Sequence, residues 1–126
     1  MSHDVVADAL NMMKNSKKAG KEIILINRIS NLLIEILKIM KQKEAVKRFK
    51  IDPKNKSVEI TFGNFLECRA IKPRFTVDKE KIDRYVKRYL PSRSMGTVII
   101  STNKGLATHE EAIEESIGGC LIAYFY

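Results

Sequence analysis

The last quarter of the chain constrains the fold more tightly than any other stretch. Val98-Ile99-Ile100 is an apolar run suited to a buried strand, and it stops at the small polar cluster Ser101-Thr102-Asn103-Lys104-Gly105. Thr108 follows, with Glu111 three residues on, which is a capping-box start for a short helix. Gly118-Gly119 is expected to end that helix, and Leu121-Ile122-Ala123-Tyr124-Phe125-Tyr126 to form a final strand. A strand that delivers Ser-Thr-Asn-x-Gly to a surface presents neutral hydrogen-bonding groups with little bulk around them.

Upstream, residues 4–19 carry a helical stripe of Val6, Leu10 and Met13, with Val5, Ala9 and Met12 beside it. Lys17 and Lys18 suit the negative end of that helix, and Gly20 is its natural stop. Ile23-Ile24-Leu25-Ile26 reads as a short buried strand. Ser30 then caps a second helix, whose Leu33, Ile36, Leu37 and Met40 recur at i, i+3, i+4 and i+7. Phe49 and Ile51, the turn Asp52-Pro53-Lys54-Asn55-Lys56, and Val58, Ile60 and Phe62 predict a hairpin. A turn at Gly63-Asn64, a strand over 67–72 made irregular by Pro73, and a helix over 78–89 with Ile82, Tyr85, Val86 and Tyr89 on one side complete the reading. Residues 91–96 form a loop. The sum is an α+β protein of two small abutting lobes. Residues 1–66 form an N-terminal α/β lobe with a short sheet and two helices; residues 67–126 form a mainly β lobe with a short helix.

Charge narrows the partners. The 126 residues carry a net charge of +8 with a pI near 9.6, a balance that favours polyanions over neutral ligands. The excess is uneven: residues 1–100 hold 22 Lys and Arg against 11 acids, whereas residues 101–126 hold one Lys against four Glu. No segment approaches the roughly 20 consecutive apolar residues of a membrane span, and no secretory pattern opens the chain. Cys68 and Cys120 stand alone, without the paired Cys or His of a metal site, and two lone thiols fit a reducing cytoplasm. No motif calls for a cofactor or a small-molecule substrate. The aromatic residues are not interleaved with basic ones along the sequence, so base stacking is not the expected mode of nucleic-acid contact.

The C-terminal pattern resembles the eighth protein of the small ribosomal subunit, in its archaeal and eukaryotic-cytosolic branch. The likeness extends through Ile71-Lys72-Pro73-Arg74-Phe75 and Lys87-Arg88-Tyr89-Leu90-Pro91-Ser92-Arg93, and more loosely to Asp4, Ala7, Asp8 and Leu10. It implies the same two-lobed division and a structural, non-catalytic role. The resemblance implies direct binding of ribosomal RNA at a helical junction of the central domain, with neighbouring ribosomal proteins as further partners and a part in ordering assembly. In that family the Ser/Thr-rich loop contacts the RNA, which points here to Ser101, Thr102, Asn103, Lys104 and Gly105, with Thr108, Gly118 and Gly119 beside them. Thr108 is also the helix cap, and capping is its stronger role.

Lys14, Asn15, Lys17 and Lys18 cluster at the end of the first helix, where the lysines could neutralise phosphates; Ser30 joins them as a candidate at the second helix. Lys72, Arg74, Arg88 and Arg93 are candidates for RNA or an adjoining ribosomal protein. The sequence departs from the family at Cys120, where relatives place a basic or small residue, so a phosphate contact there is not expected. It also lacks a proline after Asp4 and has Arg28-Ile29-Ser30 in place of a Pro-Ala-Ser motif, which weakens the carry-over to the N-terminal contacts. Two other readings stay open: a regulator that binds a messenger mimicking the ribosomal site, and a small basic ribonuclease. The latter would need His109 or His3 as general acid or base. His109 is expected on the surface, in the first turn of a helix, and no second His completes a zinc motif.

Overall fold

The apolar stripe of the first helix buries Val6, Ala7, Ala9, Leu10 and Met13, while Met12 points outward, 45% exposed. The computed structural model of the chain describes residues 5–72, 74–92 and 95–126. In it, α1 spans Val5–Lys18 and closes at Gly20, whose φ of 85° lets Lys21 N–H reach back to the Ser16 carbonyl at 3.0 Å. Strand β1 (Ile23–Ile26) follows. Helix α2 (Asn31–Gln42) starts at Ser30, whose hydroxyl accepts from Leu33 N–H at 3.1 Å, and it buries Leu33, Ile36, Leu37, Ile39 and Met40.

The hairpin is longer than the alternation indicated. Its strands are β2 (Val46–Asp52) and β3 (Ser57–Phe62), with an irregularity between Val46 and Arg48 that breaks the pattern at its start. Asp52 holds the turn: one carboxylate oxygen accepts from Lys54 N–H at 3.1 Å, and the other accepts from the Asn55 amide at 2.8 Å. The three strands are antiparallel in the order β1-β3-β2.

The second sheet has the order β4-β8-β6-β7, with β5 also paired to β8. Its strands are β4 (Cys68–Ala70), β5 (Thr76–Val77), β6 (Thr97–Thr102), β7 (Gly105–Thr108) and β8 (Gly119–Phe125). The strand expected over 67–72 is thus only three residues long. A 3-10 turn over Lys79–Lys81 leads into α3 (Ile82–Tyr89), and α4 spans His109–Glu115. The core of this part joins Val77, Val98, Ile100 and Leu121 from the sheet to Ile82, Val86 and Leu90 of α3 and its exit and to Ala112 of α4. The protein is α+β, with four α-helices and two sheets among the described residues. The chain divides into two compact units, 1–68 and 69–126.

Two local expectations give way. Gly105–Thr108 is a strand, so the polar cluster closes a β6–β7 hairpin and does not lead directly into a helix. The paired glycines do not end α4: the helix stops at Ser116, which takes the left-handed conformation at φ 56°. Gly118 and Gly119 are needed for close approach. A Cβ at Gly118 would lie 2.5 Å from the Val77 carbonyl oxygen, and one at Gly119 would collide with the carbonyl oxygen of Ser101.

Candidate nucleic-acid interface

Register determines which of the polar side chains share a surface. Ser101 pairs with Leu106 on β7 and with Cys120 on β8, and Cys120 pairs in turn with Thr76 on β5. Residues opposite one another on neighbouring strands project to the same face, so Leu106, Ser101, Cys120 and Thr76 form one row across four strands. Thr76 is exposed and the other three are half-buried. Val77, Ile100 and Leu121, each one residue displaced, point to the opposite face and into the core under α3 and α4. The row carries a hydroxyl, a thiol and a second hydroxyl, and no charge.

The hairpin turn at the end of the row divides its labour. The Thr102 hydroxyl donates to the Gly105 carbonyl at 2.8 Å and accepts from Lys104 N–H at 3.1 Å, so it is engaged inside the turn. Gly105 has φ 111°, a conformation that a side chain would oppose. Asn103 and Lys104 are exposed at the tip. The displayed groups are therefore Ser101, Asn103 and Lys104, with Thr102 and Gly105 holding them in place. Gly118 and Gly119 line an open depression of about 380 Å³ with Thr76, Val77, Asp78, Lys79 and Glu80, so both glycines adjoin the row. Bare backbone there admits close approach.

Thr108 is buried and belongs to the helix. Its hydroxyl oxygen accepts from Glu111 N–H at 3.2 Å and its proton faces the Glu111 carboxylate, also at 3.2 Å. His109 corrects the sequence expectation: it is 3% exposed, and its Nδ1 accepts from the buried Val98 N–H at 3.1 Å. A helix N-terminus next to a buried strand draws the ring inward, where it serves as an acceptor for a backbone donor in the strand. With Nδ1 accepting, the proton of the neutral ring resides on Nε2.

In the first unit the basic cluster separates into distinct roles. Lys14 is largely buried and faces Glu67 at 3.4 Å, in an ion pair inside the unit. Lys17 lies 5.4 Å from the centre of the Phe65 ring, while Asn15 and Lys18 are exposed. Ser30 caps α2, and Arg28 faces Asp8 at 3.5 Å. Cys68 donates to the Leu10 carbonyl at 3.3 Å, and burial, with Glu67 beside it, pushes its thiol up to about 12. Lys72, Arg74 and Arg88 are exposed in the second unit, the last from α3. Arg93 lies outside the described residues, as do His3, Asp4 and Pro73.

Sequence reasoning missed Thr76 and Leu106 as members of the row. A two-residue strand carries too little periodicity to be read, and Leu106 follows a glycine that resembles the end of a loop. Among the described residues no group of His, Cys, Asp and Glu is arranged to hold a metal ion, and no helix is long and apolar enough to cross a membrane.

Comparison with known proteins identifies the family. The family model described as Ribosomal protein S8 matches residues 4–126. A small ribosomal subunit protein uS8 from Nanoarchaeum equitans is 40% identical over 129 residues, and one from Picrophilus torridus is 36% identical over 130 residues. Both alignments cover the whole of each chain. The Ser-Thr-Asn-Lys-Gly turn, the capped α4 and the paired glycines thus lie within a match that runs almost end to end, and the chain belongs to the ribosomal protein S8 family.

Proposed function

We propose that this protein is a structural component of the small ribosomal subunit that binds ribosomal RNA directly in the central domain and helps order assembly. The observation that carries the reading is the uncharged row Leu106–Ser101–Cys120–Thr76 ending at the exposed Asn103-Lys104 tip. Such a surface reads shape, sugar hydroxyls and base edges; it does not simply attract phosphate. Phosphate neutralisation falls to cations elsewhere, with the exposed Lys18 and the half-buried Lys17 at the end of α1 as the N-terminal contribution and the exposed Lys72 and Arg74 near the row in sequence. Lys14, engaged with Glu67, adds only to the longer-range field. Ser30 acts through the cap that sets the direction of α2. The family relationship supports partners among neighbouring small-subunit proteins and a cytoplasmic location within the ribosome. The burial of His109, with Nδ1 already accepting a hydrogen bond, argues against a general acid–base role and so against the ribonuclease reading.

The test replaces Ser101 and Asn103 together by Ala, which changes no charge and spares the Thr102 clasp. Loss of about 1–2 kcal/mol per contact predicts that small-subunit ribosomal RNA binds more weakly by roughly 2–4 kcal/mol, while random RNA binds as before. A folded double variant with undiminished preference for ribosomal RNA refutes the assignment. Lys17→Gln with Lys18→Gln supplies the complementary arm: the slope of log affinity against log salt should fall by about one to two. An unchanged slope makes those lysines bystanders.

A further inference from the structure

Helix α3 carries a surface that the RNA row leaves unused. The core residues Ile82 and Val86 seat α3 on the sheet face bearing Val77, Ile100 and Leu121, which is the face opposite Ser101, Cys120 and Thr76. An RNA helix lying against the row is therefore separated from α3 by the thickness of the sheet. On its outward side α3 exposes Arg84, Lys87 and Arg88 at i, i+3 and i+4, so three cations share one stripe.

Beside that stripe the fold assembles aromatic rings that lie far apart in sequence. Tyr89 stacks on Tyr124 with ring centres 5.1 Å apart, and Tyr124 on Tyr126 at 6.3 Å with an interplanar angle of 9°. Phe75 meets Tyr85 at 5.0 Å, and the Arg88 guanidinium lies 5.4 Å from the centre of the Tyr85 ring. All five rings are half-buried. Rings already held by one another lose little freedom when a partner arrives, and tyrosine with arginine is the composition that dominates binding energy between proteins. A nucleobase stacking on Tyr124 or Tyr85 would compete with a neighbouring ring or with Arg88 for the same surface. A polypeptide needs only the ring edges, the hydroxyls and the cations.

We infer that the outward side of α3 and the C-terminal end of β8 dock an acidic segment of another protein of the assembled particle. Its carboxylates would meet Arg84, Lys87 and Arg88, and its backbone or apolar side chains would lie along Tyr89, Tyr124 and Tyr126. Charge complementarity selects the partner: the stripe is cationic, and the face available to RNA lies on the other side of the sheet. The inference rests on the proposed function for the particle in which the partner is found and for the side of the sheet that RNA occupies.

Assembled small subunits treated with a water-soluble carbodiimide test it, because this reagent joins a lysine amine to a carboxylate in direct contact. The expected product is a bond between Lys87 and an Asp or Glu of a different polypeptide, identified in tryptic peptides and abolished in Lys87→Arg, which keeps the charge but offers no amine. Purified Arg84→Gln with Lys87→Gln should bind small-subunit ribosomal RNA with an unchanged salt slope. A slope lowered by about one to two, or an ultraviolet crosslink from Tyr89 to RNA, assigns the surface to RNA and overturns the proposal. A bond from Lys87 to Glu110 or Glu114 of a second copy overturns it in favour of self-association. A Lys87 that stays uncoupled and open to acetylation in the subunit also overturns it. Failure of the RNA reading would show separately, in the Ser101 and Asn103 variant.

Discussion

Replacing His109 should damage the fold, and three variants resolve why. Its Nδ1 is the acceptor for Val98 N–H in a strand residue that is 0% exposed, and the ring itself is 3% exposed. His109→Ala removes both acceptor and volume. An unsatisfied buried donor costs about 1–3 kcal/mol, and the lost ring burial adds roughly 1–2, for a total near 3–4 kcal/mol. His109→Phe retains a ring but no acceptor, so it should cost about 2 kcal/mol. His109→Asn places an oxygen near the position of Nδ1 and should recover roughly 1–2 kcal/mol relative to Ala. Urea unfolding followed by far-UV circular dichroism gives the order, provided the m-value is constant across the series. Exchange of the Val98 amide gives a local reading, and it should accelerate most in the Phe and Ala variants. If Phe is tolerated while Asn is not, the ring acts by packing alone and the hydrogen bond is incidental. Folded variants should bind RNA as the wild type does. Cleavage of bound RNA by the wild type, lost in His109→Phe, would restore the ribonuclease reading.

Gly119→Ala forces a methyl group onto the Ser101 carbonyl, a backbone atom that cannot rotate away, so it should cost about 2–3 kcal/mol and lower Tm by roughly 10 °C. Gly20→Ala, which meets nothing within 4 Å and suffers only the strain of φ 85°, should cost about 1 kcal/mol; equal losses at the two sites would refute the close-approach argument. Cys68 predicts a decline in alkali. The native state holds the thiol proton more tightly than the unfolded chain, whose thiol titrates near 9.0, so this contribution is complete below 9.0 and is lost as pH rises toward about 12. The slope in that window is at most about 1.4 kcal/mol per pH unit, and Cys68→Ala should flatten it. Iodoacetamide at mildly alkaline pH should modify the half-buried Cys120 well before the buried Cys68; equal rates would contradict the burial.

Elements with their own periodicity or caps were legible in the sequence. The stripe of α1, the Ser30 and Thr108 caps and the Asp52 turn are local signals, and the structure realises each one. What stayed hidden depends on pairing between distant segments. Thr76 joins the row only because it pairs with Cys120, and Leu106 only because it pairs with Ser101. His109 was misplaced for the same reason. A histidine in the first turn of a helix is usually wet, and the adjacent Val98 N–H gives the buried ring a partner for Nδ1. The basic cluster of α1 was visible as charge, but Glu67, more than fifty residues away, withdraws Lys14 from the surface. The sequence lists the aromatic residues without showing that Tyr89, Tyr124 and Tyr126 stack.

The second sheet also resolves a tension in the charge pattern. The segment that carries the neutral row is itself acidic, with one Lys against four Glu over residues 101–126, which would repel RNA if those charges surrounded Ser101. They do not surround it. All four glutamates stand exposed on α4, and Ala112 anchors that helix to the sheet face opposite the row. Carboxylates on a helix across the sheet point into solvent away from the row, and salt weakens their repulsion over a Debye length of about 8 Å at physiological salt. The sheet thus acts as a partition, with the neutral row on one side and the charged helices on the other. That separation lets a chain whose positive excess lies before residue 101 offer the proposed selective contacts after it.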